Sequence, residues 1–182
     1  MSETRRGLVH VYTGEGKGKT SAALGLALRA AGHGLHTYMG QFMKGQEYGE
    51  LRAAQRLGID EQGRPFLTMV QFGKPTFLHV EEASQEDVEM ARAGLAAARA
   101  AMCSGQYEIV VLDEVNVALY FELLTVEEVL AFLEQKPPEV ELVLTGRRVP
   151  EAIADRADYV TRMEEVKHPY AKGIEARKGI EF

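Results

Sequence analysis

Between Thr13 and Ser21 the chain reads Thr-Gly-Glu-Gly-Lys-Gly-Lys-Thr-Ser, and these residue types at this spacing can hold a polyphosphate. Gly14, Gly16 and Gly18 allow the backbone left-handed conformations and close approach of an anion. Successive N–H groups then point into one concavity, and the N-terminus of a following helix adds partial positive charge. In such a loop Lys19 reaches the terminal phosphates and the Thr20 hydroxyl ligates magnesium, while Gly14, Glu15, Gly16, Lys17, Gly18 and Ser21 complete the cradle. The opening departs from the usual pattern of Gly, four residues, then Gly-Lys-Ser/Thr. Counting back from Gly18 puts Thr13 where the first glycine belongs, so Gly14 sits one position late. A plain glycine-rich turn is the alternative, but Gly-Lys-Thr between a β-branched strand and a helix argues against it.

A second constellation lies downstream. Ile109-Val110-Val111-Leu112-Asp113-Glu114 is a β-branched run closing in two acids, the form of a central parallel strand. One acid would help hold magnesium, directly or through water. In an ATPase the acid in the Glu114 position could instead activate water. No Asn-Lys-x-Asp guanine reader is present, which points to adenine as the base. Nor is there a His/Cys cluster for structural zinc. Lys44 lies just past a strand end, the edge where open α/β sheets hold ligands, and is either a ligand contact or a solvated loop lysine. In Gly73-Lys74-Pro75-Thr76-Phe77-Leu78-His79, Pro75 breaks any strand. The two aromatics and the histidine there form either a plug on the core or a cover for a large flat ligand. His33 and His36 read as surface or turn residues, and Cys103 as a small buried residue near a helix end.

The elements that must position these groups follow from periodicity. Leu8–Thr13 is a short buried strand, and Thr20 to Ala31 a helix apolar nearly all round, ended by Gly32 and Gly34. A second strand spans Leu35 to Phe42, a short helix Glu50 to Leu57, and a third strand Phe66 to Phe72. Ser84 with Asp87 caps a long helix whose stripe is Val88, Ala91, Leu95, Ala98 and Met102, ended by Gly105. Thr125 with Glu128 caps another, with Val126, Val129, Leu130 and Leu133 on its buried face and Pro137-Pro138 as the stop. Leu142 to Arg147 is a strand running into a turn, followed by a short helix from Pro150 and a strand around Tyr159 to Met163. Alternating strands and helices mean βαβ units. The expected fold is one α/β domain, residues 1–182, of the P-loop NTPase (RecA-like) type, with a mostly parallel sheet and helices on both faces.

Composition sets the outer bounds. The 182 residues can bury a core without staples. A net charge of −6 argues against a broad nucleic-acid footprint, and the one cysteine excludes an internal disulfide and fits a reducing compartment. No apolar run approaches the roughly 18 residues of a membrane span, and Met1–Arg6 has no signal-peptide character, so the expected location is cytoplasmic.

Several stretches together resemble the ATP:corrinoid adenosyltransferases. They are Val11–Thr20 with its late first glycine, Arg29–Gly34 with Gln41-Phe42-Met43-Lys44-Gly45, Val111–Ala118, Thr145-Gly146-Arg147, and above all the tail. The tail opens Val166-Lys167-His168 and closes Gly179-Ile180-Glu181-Phe182. The resemblance implies transfer of the 5′-deoxyadenosyl group of ATP to the cobalt(I) of a reduced corrinoid, with release of triphosphate. It implies ATP as co-substrate on the loop, Lys44 and Arg147, magnesium on Thr20 and Glu114 with Asp113 beside them, and a catalytic group of Lys19, Thr20 and Glu114. It also implies a homodimer and an electron-donating reductase. Family members often carry Gly-Phe-Thr-Trp as a lid that excludes the lower axial base of the corrinoid; here Phe77 aligns with the phenylalanine and His79 stands where tryptophan would be. The competing readings are a small ATP-dependent kinase or ligase of the same fold and a non-catalytic nucleotide-gated corrinoid-binding protein.

Overall fold

The structure is a computed structural model and describes residues 6–75 and 83–181. Phe77 and His79, the expected lid pair, lie outside the described residues. In chain order the elements are β1 (Val9–Thr13), α1 (Lys19–Ala31), β2 (Thr37–Phe42), α2 (Gly49–Arg56), β3 (Leu67–Phe72), α3 (Gln85–Cys103), β4 (Ile109–Asp113), α4 (Val115–Tyr120), α5 (Val126–Leu133), β5 (Glu141–Thr145), α6 (Glu151–Ala154) and β6 (Tyr159–Arg162). The strands make one sheet in the order β3-β2-β4-β5-β1-β6, and each neighbouring pair is parallel. Parallel neighbours require crossovers, so every strand ends at the same edge of the sheet. β5 stands between the phosphate-loop strand β1 and the acidic strand β4.

Alternation along the strands divides the core into two layers. Met39, Ile109, Val111 and Val143 face α1 and α2, where Ala23, Ala27, Ala30 and Ala54 pack on them. Tyr38, Val110, Leu112, Leu142 and Leu144 face the opposite layer, built from α3, α4, α5 and α6. α1 is therefore not buried nearly all round. Its buried stripe is Lys19, Ala23, Ala27 and Ala30, and Leu28 is 61% exposed on the outer side. Alanine at these steps brings the α1 backbone close to the sheet, Leu24 and Leu26 pack partly against the same layer, and Leu28 supplies helix propensity rather than burial.

Both expected capping boxes form, Ser84 with Asp87 on α3 and Thr125 with Glu128 on α5. The α3 stripe of Ala91, Leu95, Ala98 and Met102 is buried, with Val88 at its margin. On α5, Val129 and Leu133 are buried as expected together with Phe132, whereas Val126 and Leu130 are only partly covered. Cys103 corrects its expectation: it is exposed. One residue beyond Met102 turns the side chain about 100° off the buried stripe. His36 is a correction in the other direction. It is 3% exposed, packed against Phe66 and 3.0 Å from Asp60, because the segment between α2 and β3 covers it. α4 has no counterpart among the sequence expectations; it follows Glu114 at once and buries Val115, Ala118 and Leu119.

Ser84 holds α3 at its N-terminus through Asp87, and Lys74 joins the pair, its Nζ donating to Ser84 Oγ at 2.9 Å and to Asp87 Oδ2 at 3.2 Å. Ser84→Ala should destabilise the protein by about 1 kcal/mol, the usual cost of losing an N-cap. A lower urea midpoint at unchanged denaturant slope would check this.

Candidate functional site

Strand parity and register assemble the site before any loop is considered. Gln41, Asp113 and Thr145 each lie two residues beyond a side chain that faces α1, namely Met39, Val111 and Val143. Gln41 pairs with Asp113 across β2 and β4, and Leu112 with Leu144 across β4 and β5. The three polar side chains therefore form one row at the C-terminal edge of adjacent strands, beneath the first turn of α1. Each is fully buried. Asp113 is the hub. Its Oδ1 accepts from Thr20 Oγ1 at 2.9 Å and Thr145 Oγ1 at 2.7 Å, and its Oδ2 accepts from Lys44 Nζ at 2.8 Å and Gln41 Nε2 at 3.1 Å. Lys44 is thus no solvated loop lysine: it is an inward-facing cation held on Asp113. Burial pulls its ammonium down, but the charge and hydrogen bond of Asp113, with Glu114 and Glu50 nearby, hold it above the ordinary lysine value.

The phosphate loop is bent against the end of β6. Gly16 N–H donates to the Met163 carbonyl at 2.8 Å, and Met163 N–H to the Thr13 carbonyl at 2.8 Å. A Cβ on Gly14 would lie 2.4 Å from the Met163 carbonyl oxygen, and one on Gly16 2.6 Å from that of Glu164. These two glycines are required by their neighbours in the fold as well as by an incoming anion. Gly18, with φ 119°, makes the left-handed turn into α1, whose first turn has no side-chain cap among the described residues. Lys19 is buried, and its Nζ donates to the Gly14 carbonyl at 2.7 Å and the Gly16 carbonyl at 2.8 Å. Burial lowers its pKa against the opposing pull of Glu114, Glu15 and Asp113.

Glu114 is held in the left-handed region, with φ 63°, and its N–H donates to Thr145 Oγ1 at 2.9 Å. Burial first and the charge of Asp113 second push its carboxyl above the usual glutamate value, only partly offset by Lys44, Lys19 and Arg147. Met43 after β2 and Arg148 after β5 also have positive φ, 58° and 56°. Such conformations are costly for residues with a side chain and cluster where the surrounding fold imposes them. The edge opens on a cavity of about 630 Å³. Of the candidate residues, Glu15, Gly16, Lys17, Gly18, Lys19, Thr20, Ser21, Lys44, Glu114 and Arg147 line it; Gly14 and Asp113 sit behind that lining. Arg147 pairs with Glu15 at 2.8 Å on the rim.

Sequence reasoning missed Tyr48, Glu50, His168, Ile180 and Glu181 in the wall of the same cavity. Lys17 Nζ lies 3.1 Å from the Ile180 carbonyl and 3.1 Å from Glu181 Oε1, so the tail closes one side. The tail stood out as a motif, but nothing in one sequence places it in space. Gln41 and Thr145 were legible in principle from strand parity. A magnesium ion fits the donor set. Thr20 spends its proton on Asp113, leaving its lone pairs free, and Glu114 is a carboxylate whose charge a cation would relieve. No cluster of three or more His, Cys, Asp or Glu suited to a metal exists among the described residues. An ion here would thus complete its shell with phosphate oxygens and water, as magnesium does.

Fold and site together define a P-loop nucleotide-binding protein, with cations, helix terminus and acids converging on one cavity. The model of the family described as ATP:corrinoid adenosyltransferase BtuR/CobO/CobP matches residues 5–182. A corrinoid adenosyltransferase of Sinorhizobium sp is 35% identical over 97% of this chain and 81% of its own length. The corrinoid adenosyltransferase of Escherichia coli K12 is 31% identical over 100% of this chain and 89% of its own length. An uncharacterized protein of Nostoc sp. is 39% identical over 100% of this chain, which spans 50% of that protein's length. The chain belongs to the ATP:corrinoid adenosyltransferase family, and adenosyl transfer from ATP to a corrinoid is its activity.

Asp113→Asn would keep the shape of the hub and remove its charge. Stability should fall by about 3 kcal/mol, since a buried partner of Lys44 is lost. Lys44, without the charge of Asp113 and with burial opposing it, should fall from its raised value even with Glu114 and Glu50 still beside it. Acetylation of Lys44 as a function of pH, read by mass spectrometry, should shift to lower pH in the variant.

Proposed function

We propose that this chain, acting as one domain, transfers the 5′-deoxyadenosyl group of ATP to the cobalt(I) of a reduced corrinoid and releases intact triphosphate. Cobalt(I) attacks C5′, the cobalt–carbon bond forms, the C5′–oxygen bond breaks, and its electron pair leaves with the triphosphate. Cobalt thereby rises formally to cobalt(III). The protein need supply neither nucleophile nor activated water. It must hold the triphosphate, neutralise charge as it departs, and keep C5′ over the cobalt. The observation that carries this reading is the convergence of Lys19, Thr20, Glu114 and the first turn of α1 on one cavity, in a chain of this family.

The loop from Gly14 to Ser21 would bind the triphosphate through its backbone. Lys19, which sits on the Gly14 and Gly16 carbonyls, is within reach to exchange them for phosphate oxygens. Lys44 and Arg147 would add charge at the two flanks. Thr20 and Glu114 would hold magnesium, with Asp113 acting through Thr20 because its four acceptor positions are already occupied. Bound there, magnesium would neutralise charge on the leaving triphosphate. Phe77 and His79 would cover the corrinoid and exclude its lower axial ligand. The corrinoid is cobalamin or cob(I)yrinic acid a,c-diamide, the enzyme a cytoplasmic homodimer, and the electron donor a separate reductase.

An anaerobic assay with chemically reduced cobalamin, ATP and magnesium should yield triphosphate and adenosylated corrinoid in equal amounts. ADP as the product would overturn the reading in favour of phosphoryl transfer. In a folded Lys19→Ala protein, turnover should fall by at least about 10²-fold, the scale of one lost charge contact in the transition state. Glu114→Gln should need more magnesium, and added metal should partly restore it. The raised pKa of Glu114 means that it takes up a proton at higher pH than an ordinary glutamate. Magnesium-dependent activity should therefore decline on acidification while ordinary carboxylates are still ionised, and the Glu114→Gln profile should lack that limb.

A further inference from the structure

The polar row does not stop at Asp113. Gln41 is fully buried, and its Nε2 donates to Asp113 Oδ2 at 3.1 Å and to Glu50 Oε1 at 3.3 Å. Gln71 stands opposite Gln41 across β2 and β3 and donates its Nε2 to Gln41 Oε1 at 3.1 Å. A primary amide has one donor end and one acceptor end. Asp113 and Glu50 can only accept, so they fix the donor end of the Gln41 amide toward themselves, and Gln71 fills the acceptor end that is left. The reverse orientation would set a carbonyl oxygen against Asp113 and Glu50.

This polarity reaches the nucleotide cavity. With its proton on Asp113 Oδ1, Thr20 aims its lone pairs into the cavity, and holding that aim requires the carboxylate to stay ionised and turned. Thr145 fixes Oδ1 from one side. On Oδ2, Lys44 arrives from a loop on a long flexible stem and also lies 3.9 Å from Glu50 and over the ring of Tyr48. Gln41 arrives from a buried strand with no room to swing.

We propose that Gln41 and Gln71 are positioning residues for adenosyl transfer: Gln41 holds Asp113 in the orientation that makes Thr20 a cation ligand, and Gln71 steadies the Gln41 amide by donating to its oxygen. This rests on the reading of Thr20 and Glu114 as the magnesium ligands.

The test is ATP binding by titration calorimetry, with magnesium and with EDTA, on the whole protein. Wild type should gain affinity with magnesium. In Gln41→Leu that gain should shrink by about tenfold, the scale of one hydrogen bond to a charged group, with affinity in EDTA unchanged. Gln71→Met, at a half-buried position, should shrink it less and in the same sense. Gln41→Glu supplies a readout that packing alone would not move. Around position 41 stand Asp113, Glu50, Lys44 and Gln71. An ionised glutamate would oppose two carboxylates with only Lys44 in its favour, whereas a protonated one can donate to Asp113 as glutamine does. The magnesium gain of Gln41→Glu relative to wild type should therefore recover as pH falls. Equal loss of affinity in magnesium and in EDTA would make Gln41 a packing residue and overturn the inference. So would a gain that Glu114→Gln abolishes but Gln41→Leu and Gln41→Glu leave intact, with the magnesium reading then standing. A wild type without any magnesium gain would instead overturn the magnesium reading itself, and this inference with it.

Discussion

The carboxylate of Asp113 sets the terms for everything around it. A buried carboxylate with unfilled acceptor positions would be costly, and this one is paired with a cation and bonded on both oxygens. Its four donors come from α1, β5, β2 and the loop after β2, so a single group ties together four pieces of chain. The same charge raises Lys44 and Glu114 in opposite chemical senses: it keeps the amine protonated and makes the neighbouring acid easier to protonate. Arrangement of charge at the cavity is therefore a property of the buried row more than of the exposed lining.

The second constraint is steric. The chain leaving β6 runs so close to the phosphate loop that a Cβ at Gly14 or Gly16 would strike the backbone of Met163 or Glu164. Beyond the sheet edge, Gly45 and Gly73 repeat the theme, each too near the other loop's backbone to carry a side chain. Met43, Glu114 and Arg148 have side chains and nevertheless take left-handed conformations at three successive strand ends. At Met43 this lets the chain turn sharply out of the sheet and set the following residue, Lys44, in the cavity wall, whereas the residues after Glu114 and Arg148, Val115 and Val149, turn back onto the core.

Much of this was legible in the sequence because the signals were local. The glycine spacing, the two capping boxes, Pro75 after β3, and the β-branched run into Asp113 each depend on neighbours a few residues away, and each formed. Readings failed where tertiary placement decides. Leu28 and Cys103 are apolar by type yet sit off the buried stripes, and His36 is polar by type yet is buried under the segment carrying Asp60 and Phe66. α4 is only a few residues long, too short for periodicity to reveal. In the site, the phosphate loop and its acids could be named outright, whereas Lys44 was left between two roles until Asp113 appeared opposite it. Glu181 and Ile180 could not have been placed at Lys17, more than 160 positions away, from spacing of any kind. Gln41 is the intermediate case: its parity with Met39 was readable, but the register with Asp113 was not.

The row at the strand ends has a kinetic side as well. Its members come from β2, β3, β4, β5 and α1, and no stretch of the chain contains more than a fragment of it. Contacts of such sequence separation close late in folding, after the loop entropy between them has been surmounted. A partly folded chain would hold the phosphate loop without its acid, or the acid without its lysine, and would have little affinity for nucleotide. Occupancy of the cavity is thus coupled to completion of the whole sheet. Cellular nucleotide, by binding only the finished state, would draw the folding equilibrium toward it and slow the chain's loss to proteolysis.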